Sequence, residues 1–316
     1  MEYFNTKQTA NLLGYNDDSY IRKLIAEGKL RAEKKGKEWV ISKDEIWRYG
    51  ITNQIATNHK ALLSSNFELS HLVENLVEKK RGRDISPKDG VAAYALTKGF
   101  KTHGAILHLC KAGYGEDSGV LVRSLFELLI TLLYILDDPT EERAYRYMSY
   151  DWVIRKKMFE TTITNNPEIL SKFNERRNSS QLDKALFDHV LEMAKKVQEK
   201  YGYSKNTWSD RDLRSMSQVI GRDKMYDLVY RLYSQSTHSH ARTMNDYAKS
   251  TSEGIEYSLA ESENWIQETL IAAFDCYSQI IKAVNDHFSW GSGDQLEAIT
   301  VRFWEAVAEV NKDVKK

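Results

Sequence analysis

The sequence predicts a mainly α-helical protein with one short β-hairpin near its start, and three observations carry that expectation. Only 3 prolines and 16 glycines punctuate 316 residues, so long helices meet few breakers. From about residue 52 onward apolar residues recur at helical spacing, with no convincing strand alternation. Alternation does appear in LRAEKKGKEWVI, on either side of Gly36-Lys37, the pattern of a hairpin closed by a two-residue turn. Residues 1–50 are expected to form a small domain and residues 51–316 a larger all-α bundle, with one helix running almost directly across the boundary near Gly50.

Taken in order, Thr6 is placed to cap a helix over residues 7–13, with Ala10 and Leu13 on one face and Gly14 ending it. Asn16, Asp17 and Asp18 offer caps for a second helix, 19–26, whose Ile21, Leu24 and Ile25 face inward; Glu27-Gly28 closes it. The hairpin follows, and Ser42 caps a third helix beginning Lys43-Asp44-Glu45. Beyond it the spacing predicts helices over 52–80, 88–112, 118–137, 140–165, 181–201, 210–220, 222–238, 255–289 and 294–313. The breaks fall at Gly82, Pro87, Gly113-Tyr114-Gly115, Asp137-Asp138-Pro139, Asn165-Asn166-Pro167 and Gly291-Ser292-Gly293. VLVRSLFELLITLLYIL is apolar around nearly its whole circumference and is expected to be the central buried helix.

The order helix, turn, helix, hairpin, helix is that of a winged DNA-binding module. TKQTANLLGY, YIRKLIAEGKL and KEWVISKDEI together resemble the excisionase-type, MerR-like winged helix-turn-helix domain over residues 1–50. That resemblance implies binding of double-stranded DNA, with Ser19, Tyr20, Arg22 and Lys23 on the helix facing the major groove and Lys34, Lys35 and Lys37 at the wing tip. Local charge points the same way. Residues 20–37 hold seven Lys and Arg against two Glu, an excess of five positive charges in a chain whose 45 basic and 45 acidic residues cancel overall. Asp17 and Asp18 depart from the family pattern: an aspartate there can cap the helix or accept from cytosine, and it repels phosphate.

Two polar features interrupt the helical remainder. Arg123 and Glu127 lie four residues apart on the apolar helix, either as an internal ion pair organising the bundle or as part of a polar pocket. They can pair with each other or reach towards the segment around Arg231. In that segment, MYDLVYRLYSQSTHSHARTM, Tyr226, Tyr230 and Tyr233 would form one helical stripe and Asp227, Arg231, Ser234 and His238 the next. Arg231 and His238 have the spacing of the arginine–histidine motif of HEPN ribonucleases, which they resemble. The resemblance implies a metal-independent RNase whose paired motifs meet across a homodimer, His238 acting as acid or base and Arg231 stabilising phosphorane charge. RSLFELLITLLYIL with YDLVYRLYSQSTHS also resembles an uncharacterised all-helical prokaryotic domain family over roughly residues 60–285. Such architectures are similar to toxin or anti-phage effectors.

Other chemistry lacks its motifs. Cys110 and Cys276 allow neither a disulfide framework nor a cysteine-rich zinc site. The histidines show no HExxH or facial-triad spacing, GYGEDSG lacks the lysine of a phosphate loop, and no Gly-x-Ser-x-Gly occurs. No metal or cofactor is therefore expected. MEYFNTKQTANLLGYN has no signal-peptide pattern, and Arg123 and Glu127 interrupt the one long apolar stretch, so a cytoplasmic protein with no membrane partner is expected.

Overall fold

A computed structural model describes residues 2–78, 86–179, 181–203, 207–237, 240–252 and 254–313. The protein is mainly helical, with fourteen helices and two small sheets among the described residues.

The N-terminal segment comprises β1 (Tyr3–Asn5), α1 (Thr6–Leu12), α2 (Ser19–Ala26), β2 (Glu33–Lys35), β3 (Glu38–Ser42) and α3 (Lys43–Asn58). Helix α1 is capped one residue earlier than expected. Asn5 and Gln8 form a reciprocal capping box, each side chain accepting the other's backbone N–H at 2.9 Å. Thr6 is thereby released, and its hydroxyl donates to Asp18 at 2.7 Å, tying α1 to the start of α2. Asp18 makes no side-chain cap for α2; Asp17 accepts the Ser19 N–H instead, at 2.7 Å. The hairpin closes at Gly36-Lys37 as read, and Ser42 accepts the Glu45 N–H at 3.3 Å to cap α3. Strand β1 was not expected. It pairs antiparallel with β3 and widens the hairpin to a three-stranded sheet in the order β1-β3-β2. Ala10, Ile21, Leu24, Leu30, Ile41, Ile46 and Tyr49 form a core drawn wholly from residues 1–50. Gly50 lies inside α3, so the chain leaves this segment through a helix rather than a linker.

The helices that follow are α4 (Lys60–Glu78), α5 (Pro87–Ala112), α6 (Gly115–Leu136), α7 (Glu142–Thr164), α8 (Pro167–Ser179), α9 (Gln181–Tyr201), α10 (Leu213–Val219), α11 (Asp223–Met225), α12 (Arg231–Thr237), α13 (Ile266–Phe288) and α14 (Gly293–Asp313). A π turn, Tyr226–Tyr230, leads into α12, and a 3-10 segment, Ala241–Asp246, follows it. The chain divides into two compact units. One holds Met1–Arg81, Thr97–Glu127 and Asp227–Lys316; the other holds Gly82–Leu96 and Leu128–Tyr226.

In the first unit α13 packs against α4 and α14. Phe274 and Phe303 stack at 3.6 Å between ring centroids, and Arg302 pairs with Glu68. Asn66, His103 and Tyr277 make a buried polar group: His103 Nε2 lies 2.8 Å from Asn66 Oδ1, and its ring stacks on Tyr277 at 4.7 Å. Burial pushes the His103 pKa down to about 3, which keeps the ring neutral. In the second unit α7 packs along α9, with Phe159 on Phe187 and Tyr150 on Tyr203. Asp138 ends α6 and starts α7 by accepting from Thr140 and from the Arg143 N–H.

Four expectations need correction. The helix expected over 52–80 breaks at His59, because His59, Asn58 and Gln54 turn their side chains onto Glu263 at 2.9, 2.9 and 2.8 Å. Residues 167–179 are helical: Pro167 occupies the first helical position, where a missing N–H is harmless, and Asn166 accepts the Ile169 N–H at 3.2 Å. What reads as a stop is therefore a stop and a start. Strands do occur after residue 52, as the hairpin β4 (Ala248–Thr251) and β5 (Gly254–Tyr257); both faces of β5 are exposed, so no apolar alternation marks it. The helix expected over 255–289 consequently begins only at Ile266.

By length and composition α6 could cross a membrane. In this fold Val122, Leu125, Phe126, Leu129, Ile130, Leu132 and Ile135 expose no surface.

Candidate nucleic-acid interface

Ser19, Tyr20, Arg22 and Lys23 lie on the exposed side of α2, opposite the buried Ile21 and Leu24. All four already have neighbours: Tyr20 packs against Tyr15 at 4.6 Å between ring centroids. Ser19 is bonded through both its amide and hydroxyl to Asp17, and the Arg22 guanidinium donates to Asp18 at 2.9 and 3.3 Å. The Arg22–Asp18 pair is largely exposed, and a pair of that kind contributes little to stability. A phosphate can displace it at little cost. Lys23 lies 3.9 Å from Glu27, which pairs more closely with Lys29 at 2.7 Å.

On the hairpin, Lys34 and Lys35 are successive residues of β2 and project to opposite faces. Lys34 stands over Trp39 at 5.6 Å from the ring centroid and Lys35 over Tyr3 at 4.0 Å, while Lys37 is exposed in the turn. The three lysines thus surround the hairpin tip rather than forming one flat patch. The base of the hairpin is held by Glu45, in the first turn of α3. It accepts the Arg31 N–H at 2.7 Å and the Arg48 Nε–H at 2.8 Å. Burial raises its pKa, but Arg48 and the Arg31 amide outweigh burial and hold it below the usual value. The spacing Ser42-x-x-Glu45 was the available signal.

Asp18, suspect because it would repel phosphate, has a structural task. Its carboxyl is held below the ordinary range, first by the Thr6 hydroxyl and then by Arg22. A carboxyl with a depressed folded pKa stabilises the fold fully above its unfolded value and loses that contribution as pH falls through the folded value. Asp18→Asn is therefore expected to flatten the acid limb of stability for residues 1–50 below about pH 4. Methyl resonances of Ile21, Leu24 and Ile41 followed against pH would report it, and an unchanged acid limb would refute the assignment.

The two polar features of the helical remainder meet at Tyr230, the neighbour of Arg231. Arg123 Nε donates to Glu127 at 3.1 Å, its Nη2 donates to the Tyr230 hydroxyl at 2.8 Å, and the guanidinium lies 4.6 Å from the Tyr230 ring centroid. With side chains 15% and 44% exposed, Arg123 and Glu127 form a rim pair rather than an internal one. Arg231 is not part of this contact; it pairs with Asp227 at 3.1 Å on the exposed side of the segment. The π turn over Tyr226–Tyr230 advances the backbone out of ordinary helical phase, so the expected stripe of tyrosines is split. Tyr233 is buried, whereas Tyr226 and Tyr230 are half-buried. His238 lies outside the described residues.

Cys110 and Cys276 are buried free thiols, and burial pushes the Cys110 pKa up to about 11, which suppresses thiolate chemistry there. No three His, Cys, Asp or Glu side chains gather as a metal-ligand set among the described residues.

A family of unknown function, DUF5677, matches the chain over residues 89–255, a stretch that includes Arg123, Glu127, Tyr230 and Arg231. No curated protein matches the chain, and neither does any solved structure.

Proposed function

The chain belongs to DUF5677, a family of unknown function, and from its own residues we propose that it is a DNA-binding protein. Its N-terminal segment is a winged helix-turn-helix that docks on duplex DNA, and its helical remainder acts as a sensor or effector, as in a prokaryotic regulator or toxin-type or anti-phage system. One observation carries the reading: the exposed side of α2 and the tip of the β2–β3 hairpin, the two elements that such a module uses, bear Arg22, Lys23, Lys34, Lys35 and Lys37, all exposed. Ser19 and Tyr20 are the residues assigned to base edges, the cations those assigned to phosphate. A homodimer reading paired half-sites fits the small size of the module.

Fluorescence anisotropy with labelled duplexes at several salt concentrations tests the proposal. Binding should weaken steeply with salt, with a log–log slope of about −0.9 for each phosphate neutralised. Absence of duplex binding at low salt would end it.

A second reading, metal-independent RNA cleavage by Arg231 and His238 in a homodimer, is favoured by one observation: the Arg231 side chain is 59% exposed, in reach of a large anionic substrate. RNA cleavage that is lost in Arg231→Ala and in His238→Ala is its expected result. Cleavage that survives both substitutions, or none in the parent, would remove it.

A further inference from the structure

The start of α6, helix α12, the 3-10 segment and Trp265, the residue that precedes α13, line a cleft of about 210 Å³. At about 30 Å³ for each water of the liquid, that is the volume of roughly seven waters. Leu232, Tyr233 and Trp265 form its apolar walls, and Glu116, Asp246 and Arg242 are its charged groups.

Glu116 is the informative residue. It is only 9% exposed, and its carboxylate accepts from the Ser262 hydroxyl at 2.7 Å. No lysine, arginine or histidine pairs with it among the described residues. A carboxylate withdrawn from water without a cation is destabilised, and neutral donors recover only part of the lost hydration. Burial accordingly raises its pKa, against the effects of Ser262, its own backbone amide and the Asn264 side chain. Asp246 faces the same cleft and accepts the Trp265 indole N–H at 3.0 Å, which fixes the ring as a wall. Trp265 itself has a left-handed backbone, φ 60°, a costly conformation for a tryptophan. Arg242, exposed and without an ion pair among the described residues, leaves two carboxylates against one guanidinium.

We propose that this cleft binds a small organic cation, a primary ammonium on a flat apolar body, with the ammonium on Glu116 and Asp246 and the body along Trp265 and Leu232. Aromatic walls strengthen the attraction for such a cation. Arg242 opposes the ligand as a like charge near the carboxylates. The inference goes beyond DNA binding and is tested without DNA, so either reading can fail alone.

Calorimetric titration of the full chain with phenethylammonium is the experiment, using 2-phenylethanol as the neutral isostere and phenylacetate as the anion. Saturable binding of phenethylammonium is expected, at least tenfold tighter than either control. Glu116→Gln should weaken it at least tenfold, and Arg242→Ala should tighten it several-fold. Because Arg242 is exposed, that variant remains informative even where Glu116→Gln does not fold. No binding of phenethylammonium, equal binding of 2-phenylethanol, or loss of binding in Arg242→Ala would overturn the proposal.

Discussion

Replacing Lys34, Lys35 and Lys37 together by alanine is expected to weaken duplex binding about equally on every DNA sequence and to make the salt dependence shallower by about 2. Three lysines are removed, but Lys34 and Lys35 project from opposite faces of β2, so a duplex lying against one face meets about two of the three closely. The fold should survive. All three residues are exposed, and the core of residues 1–50 uses none of them. Two changes elsewhere sharpen the result. Tyr20→Ala should alter preference among sequences more than overall affinity, because its assigned role is to base edges. Arg22→Ala should cost affinity despite removing an ion pair, since that pair with Asp18 is exposed and weak. Anisotropy titrations between 50 and 200 mM salt provide the measurement. A triple variant with unchanged slope would show that the hairpin does not touch DNA.

Gly115→Ala is expected to destabilise the first unit by on the order of 3 kcal/mol, the upper range for forcing extra volume into a packed site. A Cβ at Gly115 would lie 2.1 Å from the Asn264 carbonyl oxygen, 2.8 Å from the Ile266 nitrogen and 2.9 Å from the Trp265 carbonyl carbon. All three are backbone atoms and cannot swing aside as a side chain would. The same approach seats the Thr269 hydroxyl on the Gly115 carbonyl at 3.2 Å, so separation of the segments also breaks a buried hydrogen bond. Gly104→Ala is the contrasting case: it lies within α5 with nothing within 4 Å of its Cβ position. There alanine should stabilise by about 0.4–1 kcal/mol, through helix propensity and a less free unfolded chain. Urea denaturation of both variants decides the matter. A Gly115→Ala protein as stable as its parent would mean that the close approach of residues 264–266 contributes nothing.

Much of the N-terminal segment was legible because its determinants are local. The positive-φ glycines Gly14, Gly28 and Gly36 each stand where a helix or strand must end, and the chain between them has few alternatives. The basic residues could be assigned to α2 and to the hairpin for the same reason. Which of them are engaged could not be read. Thr6 and Asp18 are twelve residues apart, and nothing in their spacing announces that one hydroxyl will join two helices. Strand β1 is three residues long, and only its partner β3 gives it a reason to be extended.

The helical remainder divides along the same line. Long amphipathic stretches such as α9 and α14 were visible from periodicity, since an apolar stripe is a property of the segment itself. The break at His59 was not, because it follows from three side chains converging on Glu263 more than 200 residues away. Likewise the four-residue spacing of Arg123 and Glu127 allowed them to pair without deciding it, whereas the link to Tyr230 depends on packing across 107 residues. By itself, then, the sequence determined the helical class, the hairpin, most helix spans and the clustering of positive charge near the start. The tertiary structure decided which polar groups meet, that Arg231 faces away with Asp227, and that a buried Glu116 borders a cleft. Hydrogen bonds and burial between distant residues depend on three-dimensional proximity, and local periodicity carries no record of it.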